Sequence, residues 1–161
     1  MAAPKFRIGV AFPQNEIECD PIAIRDFVQA IEGLGFSHLV AADHVLGADT
    51  RSRPDWQELY SAKDPFHEPL VLFSFLARLT QKIAFMSGVV ILTQRRTGLF
   101  GKQAANVDIF SNGRLQLDVG IGWNAIEYEA LGIPFNKRGQ RLDDQIRFLR
   151  RLWTEPTFSD D

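Results

Sequence analysis

The 161 residues contain one cysteine, Cys19, so no internal disulfide can form and a crosslinked scaffold is excluded. That fits a reducing compartment. Cys19 has no activating neighbour in sequence and reads as inert. No apolar run approaches the ~18 residues that a membrane span needs. The start, Met1-Ala2-Ala3-Pro4-Lys5, lacks the apolar core of a secretory signal, so the cytoplasm is the expected location. Charge of one sign is also missing, because the formal net charge is -2. Basic residues are scattered apart from Arg95-Arg96 and the Arg147, Arg150, Arg151 cluster, which reads as a solvated helix face. Neither nucleic acid nor an anionic membrane is therefore an expected partner. No metal-ligand spacing is present.

What is present is a repeated order of strand and helix. Phe6–Phe12 reads as a strand that Pro13 ends. Asp20 and Pro21 form a helix start, and Ile24, Phe27, Val28, Ile31 and Leu34 follow at helical spacing up to Gly33 and Gly35. His38–Ala42 is a second strand, ending at Asp43-His44. The polar stretch from Leu46 to about Asp64 is long enough to suggest a functional or mobile loop. Pro69 opens a second helix, and Lys82–Leu92 holds a third strand. Gly98–Phe110 reads as a helix closed by Asn112-Gly113, and Leu115–Val119 as the fourth strand. Helices over Ala125–Leu131 and Gly139–Trp153 follow. Four such units imply parallel strands with right-handed crossovers, in an open sheet or in part of a barrel. Either way, ligands bind at the C-terminal strand ends.

Those ends carry the candidate residues. Gly120-Ile121-Gly122-Trp123-Asn124-Ala125 matches a dinucleotide fingerprint, G-x-G-x-x-A. It lies in the fourth unit and not the first, and the acids about 20 residues on, Asp143 and Asp144, fall inside a helix. A tight turn, or a glycine pair that lets a ring or phosphate approach the backbone, are the other readings. His44 can donate to a ring carbonyl or shuttle a proton; alternatively it is a structural histidine bonded to Asp43 or a loop carbonyl. His38 begins its strand at the opposite end and reads as structural, and His67, just before a helix, as a cap. Arg95-Arg96 suits a phosphate or carboxylate, or else a solvated loop. Trp123 offers a stacking surface or a wedge.

Several segments together resemble the luciferase-like monooxygenase superfamily. The most specific is Gly101–Leu115, with Lys102, Ala105, Asp108, Ser111, Gly113 and Arg114 in the pattern K-x-x-A-x-x-D-x-L-S-x-G-R, continuing into Asp118-Val119-Gly120-Ile121-Gly122-Trp123. Glu127, Glu129, Leu131–Phe135 and Arg138–Asp143 extend the match, with Asp43-His44 and Ser87-Gly88-Val89 on earlier strands. The resemblance implies an α/β fold of the TIM-type (β/α)8 barrel family that binds FMN or the deazaflavin coenzyme F-420, with the ring over the C-terminal mouth and a non-proline cis peptide at Gly88-Val89 beneath it. It places His44 as the catalytic residue, and Asp43, Ser87, Gly88, Val89, Gly120, Gly122 and Trp123 around the cofactor. It implies an oxidoreductase or monooxygenase acting on a small organic substrate. The acidic residue that a sugar-phosphate dehydrogenase branch carries after Gly-x-Gly is Trp123 here, and that branch's tryptophan is Ala48, so its mechanism is not transferred. A TIM barrel takes ~250 residues and eight units. Four units therefore suggest a single domain cut short at its C-terminus, or a natural half-barrel. Such a half-barrel is expected to form a homo-oligomer and, alone, to hold cofactor poorly. The alternative is a non-catalytic half-barrel that binds a flavin-like ligand or only assembles with another chain.

Overall fold

A computed structural model describes residues 6–17, 19–53, 55–56, 59–157 and 159. The elements are β1 (Gly9–Ala11), α1 (Pro21–Gly33), β2 (His38–Ala41), α2 (Pro69–Leu79), β3 (Ala84–Ser87), β4 (Val90–Ile91), α3 (Thr97–Ser111), β5 (Leu115–Gln116), β6 (Val119–Gly120), α4 (Ala125–Ala130) and α5 (Arg138–Thr154). Helix starts follow local chemistry. Asp20 accepts from the N–H groups of Ile22 and Ala23, with Pro21 in the first turn, as the sequence predicts. Helix α2 is capped by Glu68 and not by His67, because a carboxylate accepts the Val71 N–H that an imidazole one residue earlier does not reach.

The strands form one parallel sheet in the order β1-β2-β3-β5, extended by the parallel pair β4-β6. The predicted third and fourth strands are thus each split in two. The third breaks at Gly88–Val89, whose peptide bond is cis, as the resemblance implies. The fourth breaks beside it, where Ser87 Oγ donates to the Asp118 carbonyl and accepts from the Asp118 N–H, both at 2.8 Å. These two bonds replace strand pairing at the step. A Cβ on Gly88 would lie 2.3 Å from Val40 Cγ1, so β2 and the turn approach this closely only with glycine there.

Register assigns the faces. Val10, Leu39, Phe85 and Leu115 are lateral partners, so their side chains share one face. That face packs on helices α1, α2 and α3, with Phe73 stacked on Phe85 at 5.4 Å. Val10, Phe12 and Phe85 thus belong to the core between sheet and helices. The opposite face carries Ala11, Val40, Met86 and Gln116, and Val40 and Met86 are only half-buried.

Two charged groups tie the far ends of the strands. Arg114 donates to the carbonyls of Ser111, Ala77, Thr80 and Ile83 and to Thr80 Oγ1, which explains an arginine at the end of the S-x-G-R motif. Glu32 Oε1 accepts from the N–H groups of Gln81, Lys82 and Ile83 at 2.9, 2.6 and 2.9 Å. Burial pushes the Glu32 carboxyl up, but these donors and Arg114 together outweigh it and hold it below its ordinary 4.5. A group depressed in the folded state stabilises above its unfolded pKa, and that contribution fades as pH falls through the folded value. Glu32→Gln is therefore expected to cost about 1–2 kcal/mol at pH 7, since the amide still accepts but without charge. The gap to the parent should narrow below pH 4.5. Urea melts at pH 7 and pH 3.5 check this (the second pH chosen to lie about one unit lower); an equal gap at both contradicts it.

Candidate active site

The C-terminal strand ends open on a cleft of about 550 Å³. Its lining includes Asp43, His44, Gly88, Val89, Gly120, Gly122 and Trp123. The parallel order brings these together from β2, β3–β4 and β5–β6, although they span some eighty positions in sequence. Gly122 holds φ +65°, which turns the chain from β6 towards α4 beside Gly120. Ser87 does not line the cleft. It is fully buried and spent on Asp118, so the cofactor contact expected of it is replaced by the strand bracket described above.

Asp43 also differs from expectation. It borders the cleft, but its carboxylate turns inward: Oδ2 accepts from the Ile91 N–H at 2.8 Å and Oδ1 pairs with Arg95 at 2.7 Å. Arg95 also pairs with Glu68 at 2.7 Å and is mostly covered. The Arg95 guanidinium is thus neither a phosphate site nor a solvated loop; it neutralises two carboxylates and locks β2 to the segment after β4.

His44 is built differently. Its Nδ1 lies 3.4 Å from Glu127 Oε1, on α4. The same Oε1 accepts from the N–H groups of Val45 and Leu46 at 2.9 and 3.1 Å, and Oε2 accepts from Gln94 at 3.3 Å. Burial pushes the Glu127 carboxyl up, yet His44, the Leu46 N–H and Gln94 outweigh it and hold it below the usual glutamate value. A fully buried, charged glutamate therefore grips the loop that carries His44. The imidazole is boxed by the rings of Phe66, Tyr60 and Trp123 at 4.7, 4.9 and 5.7 Å, and Trp56 lies 6.3 Å from Trp123. Much of the polar 46–64 stretch thus folds over the histidine, with Ala62 bonded back to Ala48. Residues 54, 57 and 58 lie outside the described residues.

His38 is structural, with Nδ1 2.8 Å from Ser37 Oγ and its ring filling the space beside Gly9. His67 packs its ring edge on Phe12 and donates its N–H to Gln14. Sequence reasoning names none of Tyr60, Phe66 and Gln94, and it counts Glu127 and Arg138 in the family match without giving either a role in the site. The one local signal for Glu127 points elsewhere. Three positions after the capping Asn124, it has capping-box spacing, but its carboxylate reaches the β2 loop instead. Arg138 lines the cleft, lies 3.7 Å over Phe135 and donates to the carbonyls of Gly122 and Phe135. Among the described residues no group of three or more His, Cys, Asp or Glu side chains is placed to hold a metal ion, and no helix is long and apolar enough to cross a membrane.

A parallel α/β sheet with its cleft at the C-terminal strand ends defines the class, and comparison with known proteins gives the family. The model for luciferase-like monooxygenases matches residues 7–160, and the chain belongs to that family. It is 31% identical over 135 residues to an uncharacterized protein of Mycobacterium tuberculosis, covering 81% of this chain and 47% of that one. It is 30% identical over 99 residues to the FMNH2-dependent dimethylsulfone monooxygenase of Pseudomonas putida, covering 60% and 27%. Among solved structures, the monooxygenase RslO1 from Streptomyces bottropensis superposes with a TM-score of 0.77 at 20% identity, over 97% of this chain and 45% of that one. The coenzyme F420-dependent tetrahydromethanopterin reductase of Methanopyrus kandleri gives 0.56 at 19%, over 80% and 30%. The chain thus spans about half the length, or less, of the relatives it matches.

Proposed function

We propose that this chain forms the ring-binding half of a TIM-type barrel oxidoreductase, which uses FMN or coenzyme F-420 on a small organic substrate, with His44 as proton donor or acceptor. The observation that carries the reading is the cleft itself. It has a glycine-lined floor at Gly88-Val89, Gly120 and Gly122, and His44 and Trp123 on its rim. Its volume lies within the roughly 300–1,000 Å³ of small-molecule sites, and glycines at 88, 120 and 122 let a fused ring approach the backbone. The FMN-dependent and F420-dependent relatives support the two cofactor classes.

A reduced flavin or deazaflavin supplies hydride or electrons when bound. The chain's own residues supply position and proton traffic. Gly88 offers backbone without side-chain bulk at the cleft, and the Val89 side chain braces Gly120 across the strand gap. Tyr60, Phe66 and Trp123 keep water from the His44 ring, which strengthens any charge interaction made there. Arg138 is the one cationic side chain in the described lining, and two carbonyls already hold it. A phosphate therefore finds little purchase, and binding by this chain alone is expected to be weaker than micromolar. Equilibrium dialysis against FMN and against F-420, each read by its own visible absorbance, tests this. Weak retention of one in preference to the other is expected. No retention of either at millimolar ligand contradicts the proposal.

A further inference from the structure

We infer that Glu127 is the positioning residue for His44: its buried carboxylate holds the imidazole as the Nδ1–H tautomer and so leaves Nε2 as the nitrogen that exchanges a proton with a ligand in the cleft. The inference rests on the proposed role of His44 and names the atom through which that role acts.

A neutral imidazole has one donor nitrogen and one acceptor, and the partner of one nitrogen decides the state of the other. Glu127 Oε1 stands 3.4 Å from Nδ1, a long approach for a hydrogen bond but one that only a protonated Nδ1 makes favourable. The carboxylate cannot turn away. Oε1 is fixed by the Val45 and Leu46 N–H groups and Oε2 by Gln94, while α4 carries the residue in a fully buried position. The ring cannot turn freely either, since Phe66, Tyr60 and Trp123 each meet it edge to face. Of the other charged groups bordering the cavities around His44, Asp43 is paired with Arg95, Asp64 is bonded by Ser61, and Arg138 is held by carbonyls, while Tyr60 meets the ring edge to face. None of the three charged groups is free to compete with Glu127 for Nδ1.

The test is a two-dimensional 1H–15N spectrum of the three histidines, recorded at about pH 8 on the chain without cofactor. His44 should show a bare Nε2 and a protonated Nδ1. Glu127→Ala should move it towards the Nε2–H form that an unpartnered imidazole prefers, whereas Glu127→Gln, whose amide oxygen still accepts, should keep the parent tautomer. An Nε2–H signal for His44 in the parent chain overturns the inference, even where Glu127→Ala fails to fold. So does an unchanged tautomer in a folded Glu127→Ala. Because the spectrum needs no cofactor, failure here leaves the dialysis result standing, and failure of dialysis leaves the tautomer as read.

Discussion

Replacing His44 with alanine in a full-length relative is expected to lower turnover by about 10²–10⁴, the usual contribution of a positioned proton-transfer group. The expectation comes from three features that meet at one ring. His44 borders the cleft, Nδ1 lies 3.4 Å from a buried carboxylate, and aromatic edges shield the ring from solvent. A purely structural histidine in the same box would cost stability when removed but would leave the rate of the folded enzyme almost unchanged. Rate and folding must therefore be measured on the same sample. A folded His44→Ala enzyme with parental turnover assigns the residue to packing.

The second large effect concerns assembly. The outer edges of β1 and β5 carry no strand in the described sheet, and the face with Val40 and Met86 is half-exposed. A groove of about 470 Å³ lies beside β5, lined by Ala104, Asp108 and Ile109 of α3, Trp153 of α5, Leu115 of β5 and Leu117 just after it. We propose that a second copy covers these surfaces. Rotation by 180° about an axis along the strands preserves strand direction. It sets β5 of each copy beside β1 of the other in parallel, so one two-fold axis closes both edges at once. Sedimentation at micromolar concentration is expected to give twice the chain mass. A monodisperse monomer shows that the four units manage their open edges alone, and it removes the half-barrel pairing.

Features decided by neighbours in sequence are legible in the residues themselves. Asp20 and Pro21 start α1 because capping is a matter of three or four adjacent residues. The helix ending at Ser111 stops where Asn112 and Gly113 take positive φ, again a local property. Parallel order follows from alternation of strand and helix, and it alone places His44, Gly88, Gly120 and Trp123 at one mouth. What is not legible depends on partners far along the chain. Asp43 meets Arg95 across 52 positions and His44 meets Glu127 across more than eighty, and nothing local marks a glutamate on a short helix as buried. Facing along the third predicted strand is not legible for a related reason. The run Val89–Leu92 is apolar throughout, so period-two alternation carries no signal, and only register with β6 and the neighbouring strands decides which side is which.

The central claim is that the cleft over Gly88-Val89 receives the cofactor ring. Amide and indole shifts of the isotope-labelled chain, followed while FMN and then F-420 are added to millimolar concentration, test it most directly, since weak binding still moves signals. Perturbations confined to the neighbourhood of His44, Gly88, Val89, Gly120, Gly122 and the Trp123 indole are the predicted result. Shifts clustered instead around Leu115 and Trp153 in the β5 groove, or no shifts with either cofactor, contradict it.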